Sequence, residues 1–170
     1  SGKTIAALMA PIINFNEDIK TGAFTTLYIS PLKSLIYDIN RSLNDCIKGS
    51  NLNISIETRT GDTTSYKKQK QLKTPPNFLI TTPESFALMM SYENANIFFS
   101  NIKYIIIDEL HSIIYTKRGD LLTLNLSRIS SFSPSATKIA LSATIKNTKS
   151  ALNYFSNSKY KLCINPKIIK

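Results

Sequence analysis

The sequence has little of what builds a metal centre or a disulfide scaffold. Its two cysteines, Cys46 and Cys163, stand far apart, His111 is its sole histidine, and no C-x-x-C pair or Cys/His cluster occurs in 170 residues. A structural zinc site and a disulfide framework are excluded, and a reducing, cytoplasmic setting is expected. Long apolar runs are lacking too: none approaches the roughly 18 residues of a membrane span. The N-terminus carries no signal-peptide pattern. It begins with Ser rather than Met, so the natural start is expected upstream. Acidic residues are scarce, 11 against 21 Lys and Arg, for a formal charge of +10. That excess suits a polyanionic partner. It suits a lysine-rich coding bias equally well.

What is present reads as one globular domain. Hydrophobic residues make up 42% and charged residues 19%, a balance that supports a core and argues against disorder. There is no internal repeat or low-complexity linker. Short β-rich runs alternate with helical patterns, which predicts an α/β fold with a mainly parallel sheet. Strands are expected at 25–29, 53–58, 78–81, 104–107 and 138–141. Helices are expected over 4–14, from Ser30 (N-cap) and Pro31 (first helical residue) to about Ile47, after a Gly61-Asp62 turn to about Leu72, opening at Thr82-Pro83-Glu84-Ser85, and over 121–129. The tail from Lys149 should hold one helix and one short strand.

Each notable polar cluster follows a strand: Ser30 onward, Arg59–Thr63, Thr81–Ser85, Asp108–His111 and Ser142–Thr144. In an open parallel sheet those ends share one edge, where ligands bind. At the end of YIIIDELH, Asp108 and Glu109 form a pair suited to nucleoside triphosphate hydrolysis. One carboxylate holds Mg²⁺ through water, and the other orients or deprotonates the attacking water. The same pair could simply cap a helix. The opening SGKT matches the end of a phosphate-binding loop: Gly2 leads into a helix, Lys3 reaches the β- and γ-phosphates, and Thr4 coordinates Mg²⁺. A capped helix start explains those four residues equally well. The hydroxyls of Ser142-Ala143-Thr144 could link the carboxylate site to a neighbouring surface, or serve as caps. Pro31-Leu32-Lys33-Ser34-Leu35 and Thr82-Pro83-Glu84-Ser85 offer N–H groups and hydroxyls to a phosphate backbone.

Taken in order, GKT, PLKSL, RTGDT, TTPES, DELH and LSATI resemble the first motor domain of superfamily 2 DEAD/DEAH-box helicases. The wording of ISPLKSLIYDINRSL, LITTPESFALMM and YIIIDELHSIIYTKRGDLL is most similar to the Lhr (large helicase-related) group. The resemblance implies a three-layer RecA-like P-loop NTPase domain over residues 1–165, with 166–170 beginning a linker to a second RecA-like domain. It implies ATP and Mg²⁺ as cofactors and nucleic acid as partner, DNA favoured and moved along 3′ to 5′. Gly2, Lys3 and Thr4 would bind phosphate, with Thr4 and Asp108 on the metal and Glu109 as catalytic carboxylate. His111 would couple the ATP site to the neighbouring domain, and Ser142, Ala143 and Thr144 would link hydrolysis to strand movement. Pro31, Lys33, Arg59, Gly61, Asp62, Thr82, Pro83 and Glu84 would lie on the nucleic-acid track. Lys117-Arg118-Gly119 also resembles the group, but reads as a solvated charged turn.

The sequence departs from the pattern in two places. The A-x-x-G half of the phosphate loop and the strand before it are not present, so the sheet is expected to lack its first (Walker A) strand. The second motor domain, which supplies arginine fingers in the family, is not present either. Little ATP turnover is therefore expected from these 170 residues alone. An RNA-directed DExH helicase and a catalytically silent remnant are the alternative readings.

Overall fold

The computed structural model describes residues 2–15, 23–49, 52–144 and 151. Ser1, the tail from Lys149 apart from Ala151, and the expected linker at 166–170 lie outside the described residues. The element order is α1 (Gly2–Ile13), β1 (Thr26–Ile29), α2 (Lys33–Lys48), β2 (Ile56–Arg59), α3 (Ser65–Lys73), β3 (Phe78–Thr81), α4 (Pro83–Met90), α5 (Ala95–Phe98), β4 (Tyr104–Ile107), α6 (Lys117–Phe132) and β5 (Thr137–Ala140). A 3₁₀ turn, Leu110–Ser112, sits between β4 and α6.

The strands form one parallel sheet in the order β2-β3-β1-β4-β5. Its central strands are aliphatic, and their side chains alternate between two buried layers. Leu27, Ile29, Leu79, Ile105 and Ile107 pack with Phe86, Met89, Leu122 and Leu126 of α4 and α6. Tyr28, Phe78, Ile80 and Ile106 pack on the other face with Ala7 and Leu8 of α1 and Ile36, Ile39 and Leu43 of α2. These are the three layers expected. The described ladder runs without a gap, so any further strand would join at β2 or β5. Both outer strands are less buried than the central three. Among the described residues no helix is long and apolar enough to cross a membrane.

Three local expectations are corrected. Ser30 does not cap α2: its N–H donates to the Thr81 carbonyl and continues the ladder, so the helix starts only at Lys33. Lys117-Arg118-Gly119 is not a turn but the first turn of α6, because the Thr116 hydroxyl caps the Gly119 N–H at 3.2 Å. The Asp108-Glu109 pair caps no helix: Glu109 takes left-handed backbone angles (φ 48°) and its side chain makes no capping bond.

Candidate active site and nucleic-acid interface

Register brings the expected residues together. Ile29 pairs with Thr81 and Ile107, Arg59 with Thr81, and Ile107 with Ala140, so all five strands end level. The residues that follow them emerge along one edge. Strand order then divides them: the loops after β4 and β5 carry the carboxylates and Ser142, while those after β2, β3 and β1 carry the expected track.

On the first side, Asp108 is buried and each of its oxygens accepts one hydrogen bond. Its Oδ1 accepts the Glu109 N–H at 2.9 Å, and its Oδ2 accepts the Tyr28 hydroxyl at 2.5 Å. The Thr4 side chain lies beside the same phenol. Burial, then the bond to Asp108 and its charge, hold the Tyr28 pKa far above its ordinary 10.0. The left-handed turn at Glu109, uncommon for a non-glycine residue and typical of functional loops, sets its carboxylate 3.2 Å from His111 Nδ1. The same Nδ1 lies 3.2 Å from Ser142 Oγ, which donates to the Thr144 carbonyl. Lys3 Nζ donates to the Ser142 carbonyl at 3.1 Å. Lys3, Asp108, Glu109, His111 and Ser142 therefore form one connected set, and Thr4 lines the same cavity as Asp108 and Glu109. Ala143 and Thr144 are exposed at its rim.

This donor set fits a magnesium–nucleotide complex. Among the described residues no group of three or more His, Cys, Asp or Glu side chains could cage a metal. Mg²⁺ needs no such cage, since it keeps several waters and takes one or two carboxylates plus phosphate oxygens. Asp108 retains free lone pairs beyond its two bonds, and Thr4 brings a hydroxyl to the same cavity.

On the second side, Lys33 Nζ pairs with Asp62 at 2.7 Å, joining the loops after β1 and β2. The Asp62 carboxylate raises the lysine pKa, burial working against it. Thr82 caps α4 through the Ser85 N–H, Pro83 opens the helix, and Glu84 stands exposed in its first turn. Gly61 lies in the exposed turn after β2. Arg59 is placed differently from the expectation. It is only 1% exposed, its Nη2 donating to the Tyr92 hydroxyl at 2.7 Å and its Nη1 to the Lys68 carbonyl at 3.1 Å. Its guanidinium also lies 5.6 Å from the Tyr92 ring centroid. The side chain thus braces its loop from inside.

Sequence reasoning missed three participants. Tyr28 left one signal, an aromatic hydroxyl in an aliphatic buried strand. Tyr92 left none, being 33 residues from Arg59. Arg118 was noticed but given no part; its Nε donates to Glu84 at 2.5 Å and its Nη2 to the Pro31 carbonyl at 3.1 Å.

The sequence model of the DEAD/DEAH box helicase family matches residues 1–152. The ATP-dependent helicase Lhr-Core of Methanothermobacter thermautotrophicus is 37% identical over 158 residues, covering 85% of this chain and 18% of that protein. The Lhr helicase/uracil glycosylase of Escherichia coli is 32% identical over 98% of this chain and 12% of its own length. The chain thus spans less than a fifth of these relatives. Among solved structures, Mycobacterium smegmatis helicase Lhr bound to ssDNA and AMP-PNP superposes with a TM-score of 0.80 at 33% identity, over 92% of this chain and 21% of that one. The DEAD-box helicase Mss116, bound to ssRNA, shares the fold with a TM-score of 0.79 at 19% identity.

Proposed function

The chain belongs to the DEAD/DEAH box helicase family, and from that membership we propose that it is the first RecA-like motor domain of an Lhr-type, ATP-dependent DNA helicase. The observation that carries this reading is the connected set from Lys3 through Ser142 to His111, beside a separate polar track on the same sheet edge. Lys3 binds the β- and γ-phosphates. Thr4 and Asp108 hold Mg²⁺, which when bound neutralises phosphate charge. Glu109 orients the attacking water and accepts its proton. Hydrolysis alters what Lys3 and Glu109 contact, and both connect through Ser142 and His111 to the rim at Ala143 and Thr144. Strand movement on the track is coupled through that rim, where a second motor domain docks.

Pro31, Lys33, Gly61, Asp62, Thr82, Pro83 and Glu84 form the nucleic-acid track, with Arg59 bracing it from within. These contacts reach the phosphate backbone, so they position the strand rather than read its sequence. Two similar structures support DNA over RNA: the mycobacterial Lhr with ssDNA and the MrfA helicase bound to DNA and AMPPNP, the latter at 26% identity and a TM-score of 0.76. Translocation 3′ to 5′ and a cytoplasmic site of action complete the reading. The free thiol of Cys46 suits a reducing compartment.

The test is ATP hydrolysis by the intact protein carrying this domain, with and without single-stranded DNA and RNA. Stimulation by DNA, lost in Glu109→Gln, is expected. Stimulation by RNA alone would move the substrate to the RNA-directed alternative, and no stimulation by either would remove the helicase reading. Duplexes with a 3′ or 5′ tail then give the direction.

A further inference from the structure

Arg118 lies in the first turn of α6, outside the loops assigned to the nucleic-acid track, yet it holds an atom of two of them. Nε donates to Glu84 Oε1 at 2.5 Å, in the first turn of α4 after β3. Nη2 donates to the Pro31 carbonyl at 3.1 Å, in the loop after β1. The strands before those loops are neighbours, paired through Ile29 and Thr81. Beyond the ladder, Arg118 is the hydrogen-bonded link between the two loops among the described residues. Its own turn is fixed by the Thr116 cap, so the anchor belongs to a third element.

The chemistry needs arginine. A guanidinium presents Nε–H and Nη2–H side by side in one rigid plane, so it can hold two acceptors at a set separation, whereas a lysine ammonium is a single mobile point charge. Glu84 responds to the contact: burial pushes its carboxyl up, but the Arg118 bond and charge, with backbone and Thr82 donors, hold it below its ordinary 4.5.

We propose that Arg118 is a positioning residue. It sets the separation of the Pro31 and Thr82–Glu84 loops so that consecutive phosphates reach both at once. This rests on the nucleic-acid reading above. Two of the five N–H donors of Arg118 are held by protein, and no phosphate is assigned to the other three, which the salt slope below tests. One consequence runs against simple electrostatics. Glu84 is an acidic side chain on a face that binds a polyanion, so removing its charge should strengthen binding if charge alone matters. If Glu84 instead completes the Arg118 brace, removing it weakens binding.

The experiment is fluorescence anisotropy of labelled single-stranded DNA with the purified chain across a salt series, for wild type, Arg118→Ala, Arg118→Lys and Glu84→Ala. Circular dichroism and thermal midpoints show which variants fold. Positioning predicts weaker binding by all three variants, about tenfold for Arg118→Ala. It also predicts an unchanged slope of affinity against salt, because the contacts weakened are to neutral N–H and hydroxyl groups and no cation is withdrawn from a phosphate. Tighter binding by Glu84→Ala, wild-type affinity in Arg118→Lys, or a slope shallower by about 0.7 in Arg118→Ala, the signature of one lost phosphate contact, would each overturn the proposal. If Arg118→Ala fails to fold, the other two variants decide. A wild-type chain that binds no DNA at low salt would remove the nucleic-acid reading itself, and this inference with it.

Discussion

The Tyr28 phenol donates to Asp108 Oδ2 across 2.5 Å, from the middle of β1 to the residue that follows β4. The bond ties the carboxylate proposed to hold Mg²⁺ to the neighbouring strand. Because Tyr28 is fully buried, no water can replace it.

Tyr28→Phe leaves packing almost unchanged and removes only that bond. A hydrogen bond to a charged group contributes about 1.5–3 kcal/mol. Urea unfolding of the variant should show a loss of that size. A loss below about 0.5 kcal/mol would show that the phenol does not secure Asp108.

Arg59 should behave as an interior brace. Arg59→Ala removes two hydrogen bonds and leaves the Tyr92 hydroxyl and the Lys68 carbonyl without their partner. A loss of about 1.5–3 kcal/mol in urea unfolding is expected. The slope of DNA affinity against salt should stay as in wild type. A shallower slope with full stability would place the guanidinium on the strand instead.

The Glu84–Arg118 pair makes stability depend on pH. The folded pKa of Glu84 lies below its ordinary 4.5. The contribution is therefore fully present above that value and falls away as pH drops through the folded one. An NMR titration of the Glu84 carboxyl should give a midpoint below 4.5, moved upward by Arg118→Ala. A midpoint indifferent to the substitution would show that the pair does not form in solution.

Glu109→Gln keeps the shape of the left-handed turn and removes the base. In the intact protein, fluorescent-nucleotide binding in the presence of Mg²⁺ should persist. Hydrolysis should fall by about 10²–10⁴, the usual contribution of a positioned general base. Retained hydrolysis would assign that role to another residue.

Much of this was legible in residue order. Ile105–Ile107 and Phe78–Ile80 are apolar runs, so they read as buried strand segments and are found as such. With those strands parallel, Asp108, Thr82 and Ser142 had to share an edge. The start of α2 was not legible, because Ser30-Pro31 is a strong local cap signal that a ladder bond to Thr81 overrides. Lys117–Gly119 looked like a turn because its charges and glycine outweighed the Thr116 cap before it. The side-chain partners Asp108 of Tyr28, Tyr92 of Arg59 and Glu84 of Arg118 are 80, 33 and 34 residues away, and no local pattern encodes them. Residues whose chemistry depends on a backbone position could be assigned from sequence. Residues whose chemistry depends on a distant side chain could not.

The central claim is that the loops after β1, β2 and β3 form a phosphate-backbone track. Anisotropy of labelled single-stranded DNA with the purified chain, between about 50 and 200 mM salt, tests it most directly. The account predicts affinity in the non-specific range, roughly 10⁻⁴–10⁻⁶ M, falling as salt rises, with about 0.7 of the logarithmic slope owed to Lys33, the exposed cation assigned to the track. Lys33→Ala should make that slope shallower by about 0.7. Affinity that ignores salt, or a Lys33→Ala slope equal to wild type, would contradict the account.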